Sequence, residues 1–322
     1  MSKPFGTTRP LTQWTNSWRC SLLGAALTSA LFLSGCEAGG DAQQDGPSAE
    51  GPFKALVFSR TTGFRHTSIE VGQQTITQLG QDNDFGVDLS EDPAVFTADT
   101  LAQYAVVIWL NTTGDVLDTP EQRQAFEQYI AAGGGYVGIH SAADTEYNWP
   151  FYGQLVGAYF LNHPVLNQPG SVQIEAADHP SVAHLGPSWS IPIEEFYSFR
   201  SNPRDATRIL MNIDESSYLR EPNTSCDPRG PTFPEGYSGD MGDHPMAWCH
   251  DNLGGRAWYT AIGHSEYLYL NTDFQQHILN GILTAAGRLE ADCLSKPAPE
   301  GTPAYTPPLL EACQNQLLPG VP

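Results

Sequence analysis

AVVIWLNTTGDVLDTPEQRQAFEQYIAAGGGYVGIH, residues 105–140, is the stretch that decides the fold. Its first six residues are continuously apolar and rich in β-branched side chains, as in a strand buried on both faces. Thr119-Pro120-Glu121-Gln122 reads as a helix start. Thr119 is the N-cap, and Pro120 takes the first helical position, where its missing N–H is not needed. The helix runs to about residue 132, Gly133-Gly134-Gly135 ends it, and YVGIH at 136–140 is the next strand. Strand, helix, strand at this spacing predicts an α/β fold: a parallel sheet with helices on both faces.

The same alternation extends outward. FKALVF at 53–58 is a short apolar strand, followed by a polar loop at 59–66 and a helix over about 67–80 with Ile69, Ile76 and Leu79 on one stripe. A second short strand is expected at 87–89. Beyond residue 165 the pattern loosens, with strands expected at 172–176, 208–213, 246–249 and 257–262 and a last helix over 273–286. Residues 221–245 are too rich in Pro and Gly for a helix and read as a long loop. The expected organisation is a domain over 53–288 and a Pro-rich tail over 289–322.

The amino terminus has a different character. Lys3, Arg9 and Arg19 precede the apolar run SLLGAALTSALFL, which is too short to span a bilayer comfortably. Leu33-Ser34-Gly35-Cys36 follows. Small residues before a cysteine, directly after such a run, resemble the lipobox of bacterial lipoproteins. That resemblance implies a signal peptide at 1–35, a lipid on Cys36, and a protein held to a membrane in the cell envelope, facing the periplasm or the cell surface. Residues 36–52 are small, polar and Gly-rich, and read as a flexible tether.

The chain carries 36 acidic residues against 15 Lys and Arg, a formal charge of −21. A surface this negative repels phosphate backbones and argues against nucleic acid as a partner. With Cys20 in the signal and Cys36 lipidated, Cys226, Cys249, Cys293 and Cys313 remain. An even number in an oxidising compartment predicts two disulfides with three possible pairings. The local pairs Cys226–Cys249 and Cys293–Cys313 are preferred, because one closes the long loop and the other staples the tail.

In open parallel sheets, ligands bind beyond the carboxyl ends of the strands. Arg65 and His66 follow the first strand, Asn111 follows AVVIWL, His140, Ser141 and Asp144 follow YVGI, and His264 and Glu266 follow WYTAIG. Three of the nine histidines fall at strand ends that should converge. Imidazoles from His66, His140 and His264 with a carboxylate from Asp144, Glu195 or Glu266 suit zinc or another divalent ion. Without metal, His140 and Glu195 would serve as general acid and base, with Asp144 and His264 beside them.

GFRHTSI at 63–69, GGGYVGIHSAADTEYNWPFYGQLVGAYFLNHP at 133–164, EEFYSF at 194–199, HPMAW at 244–248 and GRAWYTAIGHSEYLY at 255–269 resemble the ThuA-like family. The resemblance implies a flavodoxin-like, class I glutamine amidotransferase-like fold and, from the family's link to trehalose utilisation, a carbohydrate as the small-molecule partner. Amidotransferases of that class present a nucleophilic Cys on the turn after a strand. Here that turn holds His140-Ser141, so glutamine hydrolysis by a thiolate is not available. Ser141 next to His140 is a poor nucleophile–base pair, since adjacent residues rarely face each other and Gly-x-Ser-x-Gly is absent. Arg65, Asn111, Trp149 and Tyr197 are candidates to hold the substrate; Tyr152 and Trp248 also lie in or beside the matching blocks. Such aromatics either stack on sugar rings or pack the core. The expected function is work on a carbohydrate or oxidised sugar derivative by acid/base or metal-assisted chemistry. The rival expectation is a carbohydrate-binding lipoprotein without turnover.

Overall fold

A computed structural model describes residues 52–164, 167–219 and 240–306. The signal, Cys36, Cys226 and Cys313 lie outside the described residues.

Nine strands form one sheet: β1 (Phe53–Phe58), β2 (Phe85–Ser90), β3 (Val106–Leu110), β4 (Gly135–Ile139), β6 (Gln168–Ile174), β7 (Ser188–Glu194), β9 (Arg208–Ile213), β10 (Pro245–His250) and β11 (Ala257–Thr260). A separate antiparallel pair is made by β5 (Phe160–Asn162) and β8 (Ser198–Phe199). The helices are α1 (Ser68–Asp82), α2 (Ala98–Leu101), α3 (Pro120–Ala131), α4 (Pro150–Val156) and α5 (Thr272–Ala285).

The α/β class expected from the sequence is what forms. The sheet order is β2-β1-β3-β4-β11-β10-β9-β6-β7. The first five strands are parallel, and their neighbours from β10 onward are antiparallel. The all-parallel expectation therefore holds for one half only. The strands of the second half connect without the long helical crossovers that parallel pairing requires, so they pair antiparallel.

Helices cover both faces of the parallel half. On one face Trp109 of β3 stacks on Phe126 of α3 at 5.5 Å and lies 4.6 Å from the Tyr152 ring of α4. On the other, Trp258 of β11 packs against α5, where a side chain at Gly281 would meet the Trp258 ring at 2.6 Å. The helix start at residue 119 is a full capping box: Thr119 accepts from the Gln122 backbone, and Gln122 accepts from the Thr119 backbone.

The disulfide expectation is corrected. Cys249, buried on β10, is bonded to Cys293 in the segment after α5, with Cα atoms 5.3 Å apart. Neither preferred local pair forms. β10 runs through the core, and the chain leaving α5 returns past it, so the contact is set by topology and not by nearness in sequence. The segment is further tied where Thr306 N–H donates to the Met241 carbonyl at 2.7 Å.

Candidate functional site

Two adjacent parallel strands end in non-glycine residues with left-handed backbones: Asn111 after β3, at φ 50°, and His140 after β4, at φ 49°. Both residue types tolerate this conformation better than most. The sharp turn at His140 lets Nδ1 donate to the Ala261 carbonyl at 2.7 Å, and this bond fixes Nε2 as the bare acceptor.

His66 arrives from the loop after β1. Its Nδ1 lies 3.2 Å from Ser141 Oγ, so Ser141 serves His66 and not its neighbour His140. His264 arrives after β11, on a turn that needs Gly263: its φ is +139°, and a Cβ there would meet Ile139 Cγ2 at 2.8 Å. Glu195 follows β7, the far edge strand of the sheet, so that edge closes onto the middle.

The ligand atoms of His66, His140, His264 and Glu195 all lie within 4.8 Å of one another. Glu195 Oε2 is 3.1 Å from His264 Nδ1 and 3.5 Å from His140 Nε2, and Oε1 is 3.2 Å from His163 Nδ1. His140 Nε2 and His264 Nδ1 are buried, and the carboxylate of Glu195 faces both. Tyr197 closes one side, its ring 4.1 Å from that of His140.

Burial pushes the His66 imidazole down to about 2, helped by the charges of His140 and His264, and burial likewise lowers His140. Both are neutral, with lone pairs to give. Burial alone would raise the Glu195 carboxyl, but His140, His264 and His163 around it hold it well below the usual range. Burial opposes protonation of His264, but its bond to Glu195 outweighs this and raises it. The cluster thus offers two bare imidazoles and an imidazole–carboxylate pair.

The sequence did not single out Glu194. Its buried carboxylate accepts from the backbone N–H groups of Gly263 at 2.9 Å, His264 at 3.1 Å and Glu195 at 2.8 Å, and so fixes the turn that presents His264. Burial pushes this carboxyl up to about 7. Two adjacent acids in EEFYSF were the available signal; both are buried, Glu194 at the His264 turn and Glu195 in the cluster. His163 faces Glu195. His244 is buried behind Tyr197 and bonds its carbonyl through Nε2 at 2.8 Å.

Other candidates stand elsewhere. Asp144 accepts from Tyr147 Oη at 2.5 Å and is not in the group of four. Arg65 is exposed and paired with Glu70 and Glu91. Asn111 is buried and donates to Ser68 Oγ at 2.8 Å and the Gly263 carbonyl at 3.2 Å, which places it among the supports of the His264 turn. Trp149 packs on Phe151 and Tyr152 and donates to Glu127, and Trp248 is buried against Tyr259. The exposed aromatic at the cluster is Phe64, its ring 4.9 Å from that of His66.

Fold and site together define a class: an α/β domain whose parallel strands end at a buried group of three imidazoles and one carboxylate. Residues 54–285 match the family described as ThuA, trehalose utilisation, and the chain belongs to that family. A ThuA-like protein from Bacteroides uniformis is similar at 26% identity and a TM-score of 0.59, over 73% of this chain and 92% of that one. A ThuA-like protein from Parabacteroides merdae shares the fold at 18% identity and a TM-score of 0.55, over 82% of this chain and 97% of that one. Among curated proteins no relative matches.

Proposed function

We propose that this chain is an exported, lipid-anchored ThuA domain whose His66, His140, His264 and Glu195 hold a divalent metal, and that it acts on a carbohydrate or an oxidised sugar derivative. One observation carries the metal reading. Ligand atoms of three imidazoles and one carboxylate converge within 4.8 Å, and the buried bare nitrogen of His140, Nε2, faces Glu195 Oε2 at 3.5 Å, acceptor against acceptor. Buried polar groups are almost always satisfied, and a cation satisfies an imidazole lone pair and a carboxylate at once.

The residues fit such a group. The Ala261 carbonyl holds His140 in the tautomer that leaves Nε2 bare, and Ser141 steadies His66, as outer partners of metal-bound histidines do. Glu194 fixes the backbone under His264. A bound divalent cation supplies Lewis acidity to a substrate oxygen or lowers the pKa of a bound water. Without a metal, Glu195 Oε2 and His264 Nδ1 hold a proton between them, and metal binding releases it. The sugar is supported by the family description, and the lipid by the Cys36 pattern. Among the described residues no helix is long and apolar enough to cross a membrane.

Elemental analysis of the purified chain, followed by melting curves with added zinc and manganese, tests the centre. A metal that binds the folded state raises the melting temperature. No bound metal and no rise would sink the reading. Mass analysis of the mature amino-terminal peptide tests the anchor: an acylated Cys36 is expected, and an unmodified thiol removes it.

A further inference from the structure

Beside the centre stands a side chain that a metal cannot satisfy. Asn162, the last residue of β5, is 6% exposed, and neither its Nδ2 nor its Oδ1 has a hydrogen-bond partner among the described residues. Its surroundings tie it to the cluster. It pairs across the strand with Ser198, three residues after Glu195. β5 packs on the turn that starts at His140. Phe160, two residues earlier, lies 4.3 Å from the Tyr197 ring, and the next residue, His163, faces Glu195.

The chemistry of these atoms differs. His140 Nε2 gives a lone pair to a cation. The Asn162 amide needs an acceptor for its N–H groups and a donor for its carbonyl oxygen. A hydroxyl both donates and accepts.

We infer that Asn162 is a ligand-binding residue of this site for polyhydroxylated ligands, its amide bonded to a hydroxyl whose neighbour lies at the imidazole cluster. The inference rests on the reading of the centre as a carbohydrate site. It adds the residue that pairs with a ligand hydroxyl.

The test uses the full chain, wild type and Asn162→Leu, with Asn162→Ser as a second variant. Manganese alone, trehalose and glucose, and glucose 6-phosphate and gluconate are titrated calorimetrically, with melting curves alongside. Wild type should bind at least one of these sugars or sugar acids. Asn162→Leu should keep its manganese affinity and melt no lower, because it removes buried polar atoms without partners. Its sugar affinity should fall by about tenfold or more, the loss of two hydrogen bonds. Undiminished sugar affinity in both variants overturns the inference. Wild type that takes manganese but no sugar overturns it and leaves the metal reading standing. Wild type that takes no metal, yet loses sugar on Asn162→Leu, overturns the metal reading and supports the role of Asn162.

Discussion

Two groups of metal-ligating side chains lie among the described residues: His66, His140, His264 and Glu195 at the strand ends, and His179, Cys249 and Cys293 beside α5. By proximity alone they are equivalent. Their valences differ. In the second, the sulfurs are joined to each other, and His179 Nδ1 accepts from the Ser181 hydroxyl at 2.9 Å and backbone N–H at 3.2 Å. Nothing there asks for a further partner. In the first, the bare His140 Nε2 faces a carboxylate oxygen at 3.5 Å, acceptor against acceptor. Closeness of ligand-type groups does not make a site; an unsatisfied lone pair among them does.

The largest effect that separates the two should come from the staple. Cys249→Ala with Cys293→Ala opens a bridge between residues 44 apart. It should cost about 4 kcal/mol of stability by the loop-entropy estimate, while metal affinity at the other group stays unchanged. Denaturant melts and metal titration of the same sample measure both. Loss of metal with the disulfide would join the two groups and break the comparison.

Glu194→Ala leaves three buried backbone N–H groups without their acceptor. A loss of about 3 kcal/mol is expected, with Glu194→Gln recovering part of it. Equal stability of Glu194→Ala and wild type would show that the His264 turn holds itself. His140→Ala should weaken metal binding by about a hundredfold, as loss of one ligand does, with a small change in melting temperature. An equal response in His179→Ala would erase the distinction between the groups.

Proton counting gives a subtler contrast. His66 and His140 are lowered and already neutral, whereas His264 is raised by Glu195. Metal uptake near pH 6.5 should therefore release close to one proton, from His264, and affinity should rise with pH through that group alone. Calorimetry in buffers of different ionisation enthalpy measures this; release of three protons would contradict the arrangement. The stability signs also differ. His264 contributes stability below its unfolded value of about 6.5, lost as pH rises through its raised folded value. His179 is lowered to about 4 by burial and then by Arg208, so protonation favours the unfolded chain and stability falls as pH drops from 6.5 towards 4. The smallest effect belongs to Arg65→Ala, which removes two exposed ion pairs and should shift stability by about 0.5 kcal/mol or less, with no change at the centre.

Much of the parallel half was legible. β1 falls where the sequence places it, the helix start at Thr119 forms as expected, and in the antiparallel half β9 also falls where the sequence places it. β7 was missed, because SWSIPIE carries polar residues and a proline that mask its alternation. α4 was missed, because PFYGQLV is short and broken by Gly153. At the cluster, three histidines could be named from strand ends, and Glu195 from its block. Glu194, His163 and Asn162 could not be ranked, because their importance lies in what they face.

The sequence by itself determined the element types of the parallel half, the family, and the strand ends that carry His66, His140 and His264. These follow from local periodicity and from where strands stop. Only the tertiary structure decided that the second half pairs antiparallel, that Cys249 joins Cys293, and that β7 brings Glu194 and Glu195 across to the middle of the sheet. Local rules fix a residue's own backbone, whereas a disulfide, a carboxylate clamp or an unpartnered nitrogen depends on which distant residues share its space.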